Sequence, residues 1–486
     1  MTDLWSHAAG WQVALPGLTI ACTALLVMVA DLIVEDPDRD SLAVLGLVGM
    51  TAALLVVIGL WLGNVPAAGF DNTLRADRYA LFFSGVICVG TIFTLFMSID
   101  YLRDQPVPIG DYYTLLLLAA AGMQFMTAAN DLIVLFIALE IMSVAVYVLA
   151  GIVRGDVRSS EAALKYFFMG AFASAFLLYG IAFLYGATGS THLDTIAKAA
   201  ASGSPMSSYM MLGVGFLLIG FGFKVALMPF HVWTPDVYEG APTTITAFMA
   251  GGVKAAAFAA FGRVFLVTLA PHAAQWNQLL WWLAALTMTV GNVTAVRQRN
   301  VKRMLAYSSI AHAGYATVAL VTGGPDGGAA LLLYVSVYVL MTMGAFGVVM
   351  ALGRRGEAGE HLSEWAGVGF RHPVLGLAMT VFMLSLAGIP PTAGFAGKFY
   401  VFSAAVNAGY VGLALIGVLN SLISAYYYLG VLVQMYMVDG DRVLVPTSQR
   451  PWLVGTIVVA VVLVLLVGLL PGWPIEVAQA AFASLR

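Results

Sequence analysis

Stretches of about 20 predominantly apolar residues, the length of helix that crosses roughly 30 Å of hydrocarbon, follow one another along nearly the whole chain. Fourteen spans are predicted, at 12–34, 41–63, 79–99, 112–129, 131–153, 160–186, 208–234, 243–270, 277–296, 302–322, 327–352, 373–406, 411–437 and 452–470. Backbone groups in lipid must be satisfied internally, so such segments form helices or closed barrels, and the alternation of a barrel strand is absent here. The expected fold is therefore an all-α polytopic membrane protein. Composition agrees: of 486 residues, 61% are hydrophobic and 10% charged, with a mean hydropathy of +0.92. Soluble domains run at roughly 45–50% apolar and about 25% charged. The fourth and fifth spans meet at Ala129-Asn130-Asp131, read as a tight turn. Connections are short, and none has the length of a soluble domain.

Several function classes drop out early. A net charge of −3 gives no basic field for nucleic acid. Cys22 and Cys88 lie inside apolar spans without a CxxC or Cys/His cluster, so no metal centre, iron–sulfur cluster or disulfide framework is expected in this chain. There is no GxGxxG after a strand, no phosphate loop and no nucleophile elbow. The start, "MTDLWSHAAGWQ", lacks the basic residues of a cleavable signal. Odd-numbered connections, including "RGDVR" (154–158), "RQRNVKR" (297–303) and "RRGEAGEH" (354–361), hold 13 Lys and Arg; even connections and the two tails hold 4. The positive-inside rule then places odd connections in the cytoplasm and both termini on the opposite side.

Five basic residues remain within the spans: Lys165, Lys224, Lys254, Arg263 and Lys398. A charge at mid-membrane costs about 2.5–3.5 kcal/mol on insertion scales, so each is a site candidate, as is Glu140 near half depth of the fifth span. Simpler readings compete. Lys165, one turn after Glu161, can snorkel to the headgroups. Arg263, which stays protonated, suits a structural charge pair. Lys224, Lys254 and Glu140 sit too deep to snorkel, which leaves a static buried ion pair as their bland alternative.

The neighbourhoods of the lysines favour chemistry. Around Lys224 the chain reads "FGFKVALMPFHVWTPDVYEGAPTT", where Pro229, Pro235 and Pro242 interrupt the helix. Pro229 frees the carbonyl of Val225, and irregular backbone at membrane depth needs protein or water around it, so a wet polar pocket is expected there. Gly251-Gly252 before Lys254 leave room for water or for close helix approach. Pro390 and Pro391 precede Lys398 by about two turns. Two broken spans an odd number apart are the signature of an inverted repeat, here spans 4–8 against spans 9–13. That pattern divides the chain into 1–110 (three helices), 111–275 (first five-helix unit), 276–440 (second unit) and 441–486 (helix 14). It also pairs the helix of Glu140 with the one carrying His312, amid Tyr307, Ser308, Ser309 and Tyr315. His231, just past the first break, is a further candidate.

Burial weakens a lysine's hold on its proton and a nearby carboxylate restores it, so a midplane row of Glu, Lys and His reads as a proton relay. A relay has no energy source of its own. Direction must come from a coupled ion gradient or from redox work in a partner.

Three stretches carry a resemblance: "FKVALMPFHVWTPDVYEGAPTTITAFMAGGVK" (223–254), "GNVTAVRQRNVKRMLAYSSIAHAGY" (291–315) and "LSLAGIPPTAGFAGKFYVF" (384–402). The chain resembles the antiporter-like membrane subunits of bacterial respiratory complex I, the proton-translocating NADH:quinone oxidoreductase. Lysine at 398 rather than glutamate, and no long C-terminal lateral helix, point to the subunit N branch. The resemblance implies fourteen helices and an inner-membrane location with periplasmic termini. Glu140 and Lys224 would be the Glu–Lys pair, Lys254 the connecting lysine and Lys398 the lysine of the second broken helix. Lys165, Glu161, His231 and His312 would be further polar-axis residues. NADH, FMN, iron–sulfur clusters and quinone are then expected in partner subunits, and the lipid bilayer, a neighbouring antiporter-like subunit and small membrane subunits as neighbours. Two other readings stay open, a subunit of a multisubunit cation/proton antiporter and a passive membrane spacer.

Overall fold

The structure, a computed structural model, describes residues 2–33, 40–63, 68–103, 105–202, 206–353, 359–439 and 450–485. Arg39, Arg354, Arg355, Arg442 and Arg486 of the basic count, and the expected boundary at 440/441, lie outside the described residues.

Helices dominate. Three N-terminal helices, α1 (Thr2–Asp31), α2 (Asp40–Leu62) and α3 (Arg78–Leu102), lead to α4 (Ile109–Ala128), α5 (Leu132–Ala150) and the long α6 (Val157–Thr188). A short α7 (Leu193–Ala200) precedes α8 (Ser208–Val225) and α9 (Trp233–Gly240), the two pieces of the first broken span. The run Thr243–Thr268 contains α10 (Thr243–Phe248), a π-helical turn at Met249–Val253, α11 (Lys254–Arg263) and a second π turn at Val264–Thr268. There follow α12 (Ala273–Ala295), α13 (Val301–Thr322), α14 (Gly324–Leu352), one-turn α15 (Val368–Arg371), and the second broken span, α16 (Pro373–Ala387) and α17 (Ala393–Asn407). The chain closes with α18 (Val411–Met437), α19 (Pro451–Leu469) and α20 (Gly472–Ala483).

Among the described residues, eleven helical runs are long and apolar enough to cross a membrane. The other three expected spans fall on α4, on α12 and on the broken pair α16/α17. Among the features not expected are the hairpin pairing Ala68–Gly69 with Leu74–Arg75, and α20, whose Phe482 sits where a side chain at Gly328 of α14 would stand. The turn at 129–131 is a true break. Ala129 bridges Leu74, and Asp131 caps α5 by accepting from Ile133 N at 2.8 Å and Val134 N at 3.3 Å.

The membrane setting explains the layering. The Thr243–Thr268 run, α13 and α14 are almost wholly buried, whereas α2, α18 and α19 turn most of their surface outward. Small residues set the inner spacing, as expected where no hydrophobic force separates helix from lipid. A Cβ on Gly122 of α4 would lie 2.8 Å from Ala138 O and 2.7 Å from Met142 N of α5. A Cβ on Gly291 of α12 would lie 3.0 Å from Tyr307 O and 2.7 Å from Ala311 N of α13. One offset of 169 residues relates 122 to 291, 138 to 307 and 142 to 311. The same offset relates the bridge between Asp131 and His192 to the bridge between Asn300 and His361.

Candidate functional site

The first break follows from its sequence. At Ala226 the backbone takes φ +63°, and the amides of Ala226 and Leu227 both turn back to Gly222 O, the latter at 2.7 Å. The Met228–Pro229 bond is cis, and Met228 N donates to Thr287 Oγ1 at 2.9 Å. The carbonyl of Phe223 accepts both from Ala226 N and from Trp233 Nε1, each at 3.1 Å. Lys224, in the last turn of α8, is 2% exposed and donates through Nζ to Ser143 Oγ at 2.7 Å and Tyr147 OH at 3.1 Å. The rings of Tyr147, Tyr166 and Phe223 surround it at 5.3–5.9 Å. The expected pocket is thus polar on its α5 side and aromatic elsewhere.

Glu140, near the middle of α5, accepts from Ser174 Oγ at 2.5 Å. Lys224 meets α5 one and two turns beyond Glu140, and among the described residues no carboxylate lies within 4 Å of its ammonium. The Glu–Lys pair implied by the resemblance shares one helix face without direct contact.

The second break has the same backbone. At Gly388 φ is +86°; its amide turns back to Leu384 O and Ser385 O, and Ile389 N to Leu384 O at 2.9 Å. The Pro390–Pro391 bond is cis. One offset of 162 relates 222 to 384, 226 to 388 and 229 to 391. The lysine stands elsewhere: Lys398, 4% exposed on α17, donates to Leu386 O at 2.9 Å and Ala387 O at 3.1 Å, the orphan carbonyls ending α16. Its ammonium lies 4.8 Å from the Tyr315 ring centre.

Between the breaks, Lys254 follows the first π turn and donates to Ser309 through both its carbonyl, at 2.9 Å, and its hydroxyl. Gly251, before it, is in close contact with α14. A Cβ on Gly251 would meet Met343 Cε of α14 at 2.9 Å. His312 is buried on α13, with Nδ1 2.7 Å from Tyr334 OH and Nε2 3.2 Å from Tyr428 OH, and Tyr428 is bonded to Ser308. With the 169 offset, Ser309 stands where α5 has Glu140, and His312 where α5 has Ser143.

Other candidates fall outside this row. Arg263 makes two hydrogen bonds to the Asp77 carboxylate, at 2.7 and 2.9 Å, which is a structural pairing. Lys165 is 40% exposed and bridges Glu161 and Asp236, each at 2.7 Å. That is a rim cluster, continued by Arg303 with Asp236 at 2.8 Å and Glu239 at 2.6 Å. His231 is half-buried in the α8–α9 connection and has no side-chain bond to the lysines. Sequence reading missed Lys302, counted as a connection charge but 3% exposed, and three tyrosines: Tyr147 on the helix of Glu140, and Tyr334 and Tyr428, which reach the row from α14 and α18. Among the described residues, no three His, Cys, Asp or Glu gather as a metal site.

Comparison with known proteins supplies the context for this row. The family model for the transmembrane part of NADH:quinone oxidoreductase/Mrp antiporter proteins matches residues 129–424. A protein of Trichlorobacter lovleyi named NADH-quinone oxidoreductase subunit N is 43% identical over 477 residues, covering 97% of this chain and 96% of that protein. The chain belongs to the subunit N family. A second member, subunit N 1 of Herpetosiphon aurantiacus, is 44% identical over 465 residues, 94% of each chain. In a solved structure of respiratory complex I from Thermus thermophilus with bound aureothin, one chain matches with a TM-score of 0.80 and 37% identity, over 95% of this chain and 98% of that one. A chain of the Mrp complex of a Dietzia species shares the fold alone, at TM-score 0.85 and 21% identity over 97% of each chain. The stretch matched by the family model includes Glu140, Lys224, Lys254, His312 and Lys398.

Proposed function

We propose that this chain is a proton-translocating membrane subunit of a bacterial NADH:quinone oxidoreductase. Protons pass along Glu140, Lys224, Lys254, His312 and Lys398, with His231, Lys165 and Glu161 at the margin of the row. NADH, FMN, iron–sulfur clusters and quinone work in partner subunits, and this chain adjoins another antiporter-like subunit and small membrane subunits in the inner membrane. Fourteen crossings, both termini periplasmic, carry two inverted five-helix units divided near 110, 275 and 440. The recurring offsets of 169 and 162 residues support the repeat.

One observation carries the relay. Three lysines are buried at depth, and their hydrogen-bond partners are neutral oxygens rather than carboxylates. A static ion pair would bury its charge against an opposite one, as Arg263 does against Asp77. Hydroxyl and carbonyl partners leave a lysine able to take up and release a proton in place. The likeness in fold to an Mrp chain favours a second reading, a cation/proton antiporter subunit using the same row without a redox partner.

The test is Lys224→Met in the assembled complex, reconstituted in vesicles with quinone. We expect NADH-driven acidification to fall roughly tenfold or more, the scale of losing a proton-transfer group, while electron transfer from NADH to an artificial acceptor is kept. Undiminished acidification would defeat the relay.

A further inference from the structure

Lys302 is buried yet has no place in the lysine row. It stands at the start of α13, and its Nζ donates to Glu239 O and Ala241 O, each at 2.9 Å, with Glu360 Oε1 at 3.6 Å. Those carbonyls close the C-terminal end of α9, the half-helix that follows the first break. Beside it opens a cavity of about 640 Å³, with Lys302, Glu239, Glu360, Arg158, Thr243 and Arg450 in its wall. Gly155 to Arg158 of one basic connection and Lys302 of the other line this cavity.

We infer that Lys302 is a positioning residue for the relay: it seats α9 so that Tyr238 stays over Lys254 and the cavity stays closed off from the lysine row. The inference rests on the proton-relay reading for its purpose. Helix α9 has only eight residues, too few to hold together on its own propensity. Its outer face is held by pairs of Asp236 and Glu239 with Lys165 and Arg303, but these are 24–40% exposed, a class worth about 0–1 kcal/mol each. Lys302 is different in kind: buried, and bonded at 2.9 Å to two backbone carbonyls, Glu239 O and Ala241 O, the second of which also has Thr246 Oγ1 at 3.5 Å. Glycine completes the seat, since a Cβ on Gly240 would stand 2.5 Å from Arg158 O. On the inner face of α9, the Tyr238 ring lies 5.9 Å from Lys254 Nζ, and Thr246 Oγ1 donates to Tyr238 O at 2.8 Å. The cavity wall reaches Thr243, and Lys254 lies eleven residues further along the same helical run, about 16 Å at 1.5 Å per residue. What separates water in the cavity from Lys254 is therefore the seating of α9 against α10.

The measurement is thiol labelling in the intact complex, in a background with Cys22→Ser and Cys88→Ser. A cysteine at the buried position 247 (Ala247→Cys), one turn in from Thr243, is exposed to a membrane-impermeant maleimide from the basic-connection side. Lys302→Met is expected to raise the labelling rate at least tenfold, and Lys302→Arg, which can still donate to both carbonyls, to return it to the parent rate. Acidification should follow the same order, falling with Met and recovering with Arg. Unchanged labelling in an assembled Lys302→Met complex overturns the inference while leaving the relay to stand or fall on Lys224→Met. Should Lys302→Met not assemble, Lys302→Gln is labelled instead, and an unchanged rate there overturns the inference equally.

Discussion

At both helix breaks the chain leaves the helix through a left-handed residue, Ala226 or Gly388, followed three residues later by a cis prolyl bond, yet the cations stand on opposite sides of it. Lys224 comes two residues before its left-handed residue and bonds hydroxyls of another helix. Lys398 comes ten after and bonds the carbonyls that the break itself leaves open. Hydroxyls donate and accept, so Lys224 can exchange roles with Ser143 and Tyr147. Carbonyls only accept, so Lys398 donates to two of them, with the Tyr315 ring centre 4.8 Å from its ammonium. One backbone device thus serves two sites, one separable from the fold and one built into it.

That difference can be broken experimentally. The largest expected effect is Lys398→Met, which orphans two buried carbonyls at about 1–3 kcal/mol each; the purified complex should melt several degrees below the Lys224→Met complex, and equal melting temperatures would erase the distinction. Next comes Gly388→Ala. It forces a side chain into the left-handed region and sets its Cβ 2.8 Å from Lys398 Cδ, so a loss of about 1–2 kcal/mol is expected in denaturant titration. Smallest, and of opposite sign, is Ala226→Gly at the matching position, where relief of the same conformation should be neutral or stabilising by up to about 1 kcal/mol. Destabilisation by both exchanges would show that the two breaks are not the same backbone device.

Much of the fold was legible because the bilayer imposes a length and a polarity on each segment. Each expected span falls on a helix or a broken pair, and the turn at 129–131 was readable from Asn130 and Asp131. The lysines of the row were legible for the same reason, since a charge in an apolar run stands out. Their partners were not. Ser143, Ser309, Tyr334 and Tyr428 are ordinary residues in their own helices and gain meaning only from what lies across from them. Lys165 and Lys302 mark the opposite failures: one inside an apolar run yet at the rim, the other in a basic cluster yet buried. Linear position does not reveal how α6, α9 and α13 converge.

A lysine whose neighbours are neutral receives its proton without an anion to cancel it. If Lys224, Lys254 and Lys398 load protons as proposed, loading moves net charge into the bilayer, and the membrane potential weighs on the occupancy of each. A full crossing costs or yields about 2.3 kcal/mol per 100 mV, so a site near half depth feels roughly 1.1 kcal/mol, some sixfold in occupancy. On the proposed relay, the row would act as a voltmeter as well as a path, slowing as the gradient grows steeper.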